Sequence, residues 1–262
     1  MTEPLWRPDP NAVSRTHLAR FIDFVGREID PAVTGYEALY RFSIDQSEAF
    51  WSALWDFAEV RGERGGARVT EGWPAMPGTR WFPDARLNFA ENLLRRDDDG
   101  PAILFAGEGG LRRSLSWREL NDQVARTADA LRALGIQPGD RVAGYLPNMP
   151  ETIIAMLAAA SLGAIWSSCS PDFGVQGVVD RFGQIEPRVL FAASSYRYNG
   201  KRHDLSGRLA ELLERLPTVE RLVVVPFADD QPDVDELGAR AVSWPNFSDR
   251  PDAQLQFERL PF

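Results

Sequence analysis

Apolar residues at helical spacing mark the first elements of the chain. Positions i, i+3, i+4 and i+7 are held by Leu18, Phe21, Ile22 and Val25. This period belongs to one face of an α-helix and predicts an amphipathic helix over residues 14–29, ended by Pro31. Residues 1–13 are polar and contain proline, so we predict a tail there.

A second apolar stripe predicts a helix over residues 45–60. The stripe consists of Phe50, Trp51, Leu54, Trp55 and Ala58. Asp45 and Glu48 stand three residues apart before it, as in a capping box, and are expected to start the helix. Residues 61–80 contain five Gly and two Pro and predict a loop. A short helix is predicted in the second half of residues 81–94.

From residue 101 short β-type runs alternate with helical ones. Two runs flank Gly107–Gly110 and predict a hairpin, and Ser116 with Glu119 forms a capping box ahead of a helix. The predicted strands are 102–106, 111–115, 141–146, 164–168, 189–193, 222–225 and 239–242. The later predicted helices are 151–161, 174–185 and 205–216. This alternation predicts an α/β protein: a helical N-terminal extension followed by a partial doubly wound, mainly parallel sheet.

The composition restricts the classes of partner. The net charge is −9, with 38 acidic and 29 basic residues, which argues against a nucleic-acid surface because such surfaces need clustered Lys and Arg. The single cysteine, Cys169, excludes an internal disulfide. No apolar run reaches the ~20 residues of a membrane span, and the first residues lack the apolar segment of a signal peptide. We therefore expect a cytoplasmic protein with no nucleic-acid partner and no membrane partner.

No self-contained catalytic set is recognised. The two histidines, His17 and His203, stand in no metal-ligand spacing. Cys169 has no second cysteine for a zinc site, and a buried structural role is the favoured interpretation. A Walker loop would need glycine where Ser195 stands, five residues before Gly200-Lys201. We predict no catalytic residue and no metal site in this chain.

The passage from strand 164–168 to the following helix is a candidate pocket. Ligands of open α/β sheets bind outside the carboxyl ends of the strands, and this passage supplies small hydroxyl-bearing residues there. The candidates for contact with substrate or CoA are Trp166, Ser168, Ser170 and Asp172. An alternative role for Asp172 is to cap the helix that begins near Gly174.

A second candidate is the segment Tyr196–Arg202, which follows the predicted strand 189–193. It contains three cationic side chains and two tyrosines. Such residues can bind a phosphate and stack on an adenine. The alternative is a solvated loop with scattered charge.

Five passages together resemble the N-terminal part of the acetoacetyl-CoA synthetases, which are AMP-forming members of the adenylate-forming superfamily. Their order and spacing carry the resemblance, and the wording WSSCSPDFG separates them from the related acetyl-CoA synthetases. The passages are Trp81–Leu94, Ser114–Asn148, Glu151–Gly174, Asp180–Phe191 and Tyr196–Lys201.

The resemblance implies a two-step ligase. Acetoacetate would attack the α-phosphate of Mg²⁺-bound ATP to give an acyl-adenylate and pyrophosphate, and CoA would then displace AMP to give acetoacetyl-CoA for lipid and fatty acid metabolism. It also implies three regions: a tail and helix over 1–35, the helical N-terminal extension of the synthetases over 36–93, and the first part of the AMP-binding domain over 94–262.

The functional groups of the family transfer only in part. The Ser/Thr/Gly-rich loop ending in lysine and the adenylation lysine match no segment of this sequence, so the isolated chain is predicted to be inactive without the missing C-terminal part of the same enzyme. At the position of the Tyr196–Arg202 segment, acetyl-CoA relatives carry basic residues that meet CoA phosphates. The resemblance therefore implies that Lys201 and Arg197 contact CoA, although Tyr198 stands where a relative carries arginine.

Two alternatives remain open at the level of sequence. One is a ligase for another short-chain acid, such as acetate or propionate. The other is a truncated, non-catalytic module that binds CoA or a partner.

Overall fold

The computed structural model describes residues 5–228 and 231–261 and divides into two compact units. The N-terminal unit holds the chain up to Leu87 together with Pro261, and the sheet unit runs from Asn88 to Leu260. The first four residues of the predicted tail, and residues 229, 230 and 262 of the predicted AMP-binding region, lie outside the described residues.

The N-terminal unit consists of short helices followed by two-residue strands. The helices are α1 Pro10–Ser14, α2 His17–Glu28, α3 Tyr36–Asp45 and α4 Ser47–Phe57, and the strands are β1 Gly62–Glu63, β2 Thr70–Glu71, β3 Arg80–Trp81 and β4 Arg86–Leu87. The predicted apolar face of α2 is confirmed at Phe21 and Val25, which are buried in the helical core, and Ile22 packs there half-buried. Leu18, the first residue of the predicted face, is exposed. Phe21 packs on the rings of Phe50 and Phe57 at centroid distances of 5.7 and 5.0 Å.

Two predictions for this unit are wrong. The predicted tail contains the helix α1, which Asp9 caps by accepting a hydrogen bond from the Asn11 backbone. The predicted helix over 45–60 is preceded by a further helix, α3, that ends at Asp45. Asp45 therefore cannot cap α4, and Gln46 takes the cap position without a side-chain hydrogen bond.

The sheet unit begins with a short helix and a hairpin and continues as alternating strands and helices. Its helices are α5 Phe89–Leu93, α6 Trp117–Ala133, α7 Pro150–Ser161, α8 Val175–Ile185, α9 Ser206–Arg215 and α10 Trp244–Phe247, with single 3₁₀ turns at Glu108–Gly110 and Asp235–Leu237. Its strands are β5 Pro101–Ala106, β6 Arg112–Ser116, β7 Arg141–Tyr145, β8 Ile165–Cys169, β9 Val189–Ala193, β10 Ser195–Tyr198, β11 Lys201–Asp204, β12 Arg221–Val225 and β13 Ala241–Ser243, and β14 Leu260–Pro261 ends the described chain.

The predicted doubly wound parallel sheet is confirmed. Five parallel strands lie in the order β13-β12-β9-β7-β8. Crossovers between parallel strands are right-handed as a rule, and with this strand order the rule puts α7 on one face of the sheet and α8 and α9 on the other. In agreement, α6 packs on α7 while α8 packs on α9. From β7 the chain runs outward to the edge strand β8, whereas from β9 it runs the other way to β12. The topological switch point therefore lies between the neighbouring strands β7 and β9.

The centre of the sheet is apolar on both faces. All five residues of β9 are buried, which is the pattern expected of a parallel strand covered on both sides. Phe191 is 0% exposed and packs edge-on against Trp244 and Phe247 at centroid distances of 5.8 and 5.6 Å. The β9 side chains therefore form the middle of the core.

Local signals fix the elements around the sheet as predicted. The capping box of α6 is present, with the Ser116 side chain accepting from the Glu119 backbone and the Glu119 side chain accepting from the Ser116 backbone. The hairpin of β5 and β6 is antiparallel, with the 3₁₀ turn Glu108–Gly110 in its connection. In the described part of the chain, no helix combines the length and apolar character that crossing a membrane requires.

An ionic cluster lies at the edge of the sheet where the parallel strands begin. The Arg188 guanidinium donates to Asp140 at 2.7 Å and to Glu220 at 2.8 and 2.9 Å. Burial acts to raise the pKa of the Asp140 carboxyl, but hydrogen bonds from the Gln137 backbone and from Arg188 outweigh burial, and the pKa is lowered. The hydrogen bond from Arg188 likewise lowers the pKa of Glu220.

We expect this cluster to make the sheet unit sensitive to acid. A carboxyl whose pKa is depressed by folding contributes stability above its unfolded pKa, about 4, and that contribution is lost as pH falls through the lower, folded value. The melting temperature should therefore fall more steeply below about pH 4 in the unaltered chain than in an Arg188→Met variant. Equal slopes in thermal melts followed by circular dichroism would contradict this account of the cluster.

Candidate functional site

The candidate site lies at the edge of the sheet where the parallel strands end. Tyr145 ends β7 and Cys169 ends β8, while β9 runs through Ser194 into the hairpin of β10 and β11. The switch point between β7 and β9 opens at this edge, which is where ligands bind in open α/β sheets. Both segments that the sequence singled out start from this edge.

A buried tyrosine holds the loop that follows β8. The Tyr145 hydroxyl oxygen lies 2.9 Å from the Pro171 carbonyl oxygen and 2.6 Å from that of Phe173. A hydroxyl has one proton to donate. Arg208 supplies the further donor, with Nη1 at 3.3 Å from both the Tyr145 hydroxyl and the Pro171 carbonyl. Burial raises the pKa of Tyr145, against the opposing effect of Arg208, so the hydroxyl stays protonated as a donor.

Arg208 also connects this loop with the hairpin. Its pKa is raised by the hydrogen bond to Tyr145 and by attraction to Tyr196, which lies on β10. Tyr196 in turn stacks on His203 of β11, with ring centroids 4.8 Å apart and planes 15° apart. The α9 side chain Arg208 is thus shared between the two candidate segments. Sequence reasoning missed Tyr145 and Arg208, although a tyrosine at the end of a buried strand is a usable signal.

The four pocket candidates fall into two pairs. Trp166 and Ser168 share one face of β8, the edge strand, and the Trp166 ring covers Gly144 so closely that a Cβ there would lie 2.6 Å from it. Ser170 and Asp172 lie in the exposed loop beyond, and the Ser170 hydroxyl donates to the Asp172 carboxylate at 3.0 Å. The structure brings Ser170 and Asp172 together.

Asp172 does not cap α8. The cap position belongs to Gly174, which makes no side-chain hydrogen bond, and the Asp172 carboxylate is turned back to Ser170. The capping alternative is therefore wrong. The exposed carboxylate and the neighbouring hydroxyl remain available as polar groups at the mouth of the switch point.

Cys169 is buried below this loop, and the burial raises the pKa of its thiol to about 11. The nucleophile is the thiolate, and at pH 8 a thiol of this pKa is ionised in roughly one molecule in a thousand. We expect iodoacetamide at pH 8 to leave the folded chain unmodified and to label Cys169 fully in 6 M guanidinium. Rapid labelling of the folded chain, read by intact mass, would contradict a buried structural role.

The predicted segment Tyr196–Arg202 forms a tight antiparallel hairpin. Tyr198 pairs with Lys201, and the turn between them is Asn199-Gly200. Both turn residues have positive φ, 50° and 73°, as a type I′ turn requires, and Asn-Gly is the preferred sequence for it. The segment is therefore a regular hairpin and not an irregular loop, but residues 197–202 are exposed, so the alternative of scattered solvated charge stays open for its function.

The register separates the two residues proposed to contact CoA. Directly paired residues of an antiparallel hairpin share a face, and neighbours in sequence alternate. Lys201 therefore shares the front face with Tyr198, whereas Arg197 pairs with Arg202 on the back face. Arg197 lies against Gly109, where a Cβ would come within 2.5 Å of Nη1.

The turn of the hairpin is held by a residue that sequence reasoning missed. The Glu108 carboxylate accepts hydrogen bonds from the Asn199 and Gly200 backbone N–H groups at 3.0 and 2.9 Å. Glu108 stands about ninety positions earlier, in the turn between β5 and β6. No local pattern could have indicated this pairing.

The described residues contain no group of three or more His, Cys, Asp or Glu side chains able to hold a metal ion. The chemistry that this edge offers is hydrogen bonding, one exposed ammonium on Lys201 and the exposed aromatic ring of Tyr198.

Comparisons with known proteins identify the family to which this chain belongs. The family described as AMP-binding enzyme matches residues 89–256, and the family described as acetyl-coenzyme A synthetase N-terminus matches residues 36–93. The first match covers more than half of the chain, which therefore belongs to the AMP-binding enzyme family.

Individual relatives show which members of this family the chain resembles. The chain is 46% identical, over 99% of its length, to an acetoacetyl-coenzyme A synthetase of Rhizobium meliloti (strain 1021). It is 38% identical over 99% of its length to a malonamoyl-CoA synthetase of Penicillium aethiopicum. The solved acetoacetyl-CoA synthetase from Streptomyces lividans matches 99% of the chain at 41% identity with a TM-score of 0.89.

These matches also define how much of a relative the chain represents. It spans 40% of the Rhizobium protein, 37% of the Penicillium protein and 40% of the Streptomyces chain. The chain is thus similar over nearly its whole length to part of each of these proteins.

Proposed function

We propose that the chain is the N-terminal portion of an AMP-forming acetoacetate–CoA ligase. The observation that carries this proposal is the 46% identity to an acetoacetyl-CoA synthetase across nearly the whole chain. The complete enzyme would join acetoacetate to AMP with release of pyrophosphate and then transfer the acyl group to CoA. Mg²⁺ would enter with the nucleotide phosphates, which favour it as a ligand set.

In this proposal the domain limits follow the family. Residues 36–93 are the helical extension of the synthetases, preceded by the tail and helix of 1–35, and residues 94–262 are the first part of the AMP-binding domain. The cytoplasm, with its lipid and fatty acid metabolism, is the proposed setting.

The hairpin is the proposed contact for CoA. Lys201 lies on its front face beside Tyr198, so an ammonium and an aromatic ring stand together at the strand-end edge of the sheet. The phosphates of CoA would bind the Lys201 ammonium, and its adenine would stack on the Tyr198 ring. We assign Arg197 a smaller contribution to CoA binding, because it lies on the back face of the hairpin against Gly109.

The acid pocket is proposed at the mouth of the switch point. Ser170 and Asp172 offer a hydroxyl and a carboxylate there, and Trp166 and Ser168 line the adjoining face of β8. A second candidate acid is malonamate, because a relative that is 38% identical carries malonamoyl-CoA in its name. Malonamate replaces the terminal methyl of acetoacetate with an amide NH₂, so the two acids are similar in size and shape.

The sequence makes the CoA assignment directly testable, because Lys201 is the only lysine in the chain. We expect an amine-reactive acetylating reagent to modify one ε-amine, and CoA to slow that modification severalfold. Pantetheine, which lacks the nucleotide phosphates, should give no protection. Peptide mass spectrometry separates Lys201 from the α-amine, which serves as the internal control. Equal protection by both compounds, or by neither, would contradict the assignment.

The alternative of a non-catalytic binding module predicts the same protection of Lys201 but a different outcome in a hybrid enzyme. A module that only binds would not support thioester formation when joined to the catalytic remainder of a relative. The hybrid described at the end of the Discussion separates the two.

A further inference from the structure

The turn Asn199-Gly200 presents two backbone donors that the hairpin cannot satisfy. In a two-residue hairpin the flanking residues, Tyr198 and Lys201, pair with each other. The N–H groups of the two turn residues project outward and have no partner in the ladder. Here each meets one oxygen of the Glu108 carboxylate, at 3.0 and 2.9 Å. Hydrogen bonds to an ionised acceptor are stronger than those between neutral groups.

The β5–β6 turn that contains Glu108 also contacts the back face of the β10–β11 hairpin. Gly109 has φ 77°, and a Cβ there would come within 2.5 Å of the Arg197 guanidinium. Glu108 and Gly109 thus hold the hairpin at two points: its tip through the backbone and its back face through Arg197. On the front face, Tyr198 and Lys201 at the tip are exposed, whereas Tyr196 nearer the sheet is buried.

We propose that Glu108 is a positioning residue for the CoA-binding face of the hairpin, acting through the Asn199-Gly200 turn to fix the place of Lys201. The inference rests on the proposed function for its ligand, a nucleotide-bearing thiol with phosphate groups. It goes beyond that function by assigning a distant carboxylate, in a separate hairpin, to the set of residues on which binding depends.

The sign of the expected effect distinguishes positioning from simple electrostatics. A carboxylate near a phosphate-binding ammonium repels the phosphate, so its removal should strengthen binding if charge alone matters. If Glu108 acts by holding the turn, its removal frees the hairpin tip and weakens binding, because the ordering of Lys201 must then take place on association.

The first measurement concerns the turn alone and requires no ligand. Native-state amide exchange of the 262-residue chain should show the Asn199 and Gly200 amides protected. We expect exchange at both to quicken by about tenfold or more in Glu108→Ala, and at one of the two in Glu108→Gln, whose side chain keeps one acceptor oxygen. Glu214→Ala, an exposed change on α9, is the matched control and should alter neither. Unchanged exchange in Glu108→Ala overturns the inference.

The second measurement asks whether Glu108 acts through Lys201. CoA is titrated into four forms of the chain: unaltered, Glu108→Ala, Lys201→Ala and the double variant. We expect Glu108→Ala to raise the Kd for CoA by about five- to twentyfold in the unaltered background and by less than twofold once Lys201 is absent. Equal losses in both backgrounds, or tighter binding after Glu108→Ala, would overturn the positioning role. Failure of the unaltered chain to bind CoA would refute the CoA assignment itself and with it the proposed ligand of the hairpin, whereas the exchange result tests the turn separately.

Discussion

Replacing Phe191 with alanine should destabilise the sheet unit by about 3–5 kcal/mol. The side chain is 0% exposed in the central strand, and three aromatic rings surround it: Trp244 at 5.8 Å, Phe247 at 5.6 Å and Trp166 at 6.3 Å. Three bulky neighbours on a sheet and a helix cannot all collapse into the space that the ring leaves, so most of the cavity should persist.

Urea unfolding followed by far-ultraviolet circular dichroism measures this loss as a lower midpoint of the transition. Leu104→Ala is the matched control, because Leu104 is 76% exposed on the β5 strand and should lose less than about 0.5 kcal/mol. A loss of under 1 kcal/mol for Phe191→Ala would mean that the centre of the core lies elsewhere.

The second large effect concerns activity. The chain alone should form no detectable acetoacetyl-CoA from acetoacetate, ATP and CoA, a deficit of about 10⁴-fold or more relative to the Rhizobium relative. Its sequence holds one lysine, Lys201, which lies in the β10–β11 hairpin, and no Gly-rich loop ending in lysine. A charge-neutralising cradle for the transferring phosphate is the largest single contribution to such chemistry, and none of these residues supplies it.

Liquid chromatography of the thioester, with the Rhizobium enzyme as the positive control, measures this deficit. Turnover by the purified chain that survives further purification and is lost in Lys201→Ala would show that a catalytic group is present here after all.

The sheet could be predicted from sequence to within a residue or two because its strands carry their own signal. Val189–Ala193 is a continuous apolar run, and a parallel strand covered on both faces has that pattern. The helical turns between the strands carry caps, such as Ser116 with Glu119, that act within four residues. Both signals are local, and neither depends on distant partners.

The N-terminal unit was harder to predict because two local signals competed. Asp45 and Glu48 have the spacing of a capping box, yet Asp45 is the last residue of α3, a helix that buries only Leu39 and Phe42. The helix that buries them continues through Asp45. The preference of aspartate for a cap is worth about 1 kcal/mol, less than the burial of two large apolar side chains.

The candidate site could be located from the sequence but not assembled. The ends of β8 and β9 place both candidate segments at one edge of the sheet. The Asn199-Gly200 pair is a signal for the turn that sets Lys201 and Arg197 on opposite faces, and sequence reasoning missed it. The hydrogen bonds of Tyr145, Arg208 and Glu108 join segments that are 26 to 92 residues apart. Such pairings follow from the topology of the sheet and leave no trace in a local pattern.

The most direct test of the account is a hybrid enzyme. Residues 1–262 would replace the matched 40% of the Rhizobium acetoacetyl-coenzyme A synthetase, and pyrophosphate release and thioester formation would be measured separately with acetoacetate, malonamate and acetate. The account predicts thioester formation with acetoacetate, lost selectively at the CoA step in Lys201→Ala. A folded hybrid that releases pyrophosphate but forms no thioester, or that prefers acetate, would contradict the claim that this chain is the CoA-facing portion of an acetoacetate–CoA ligase.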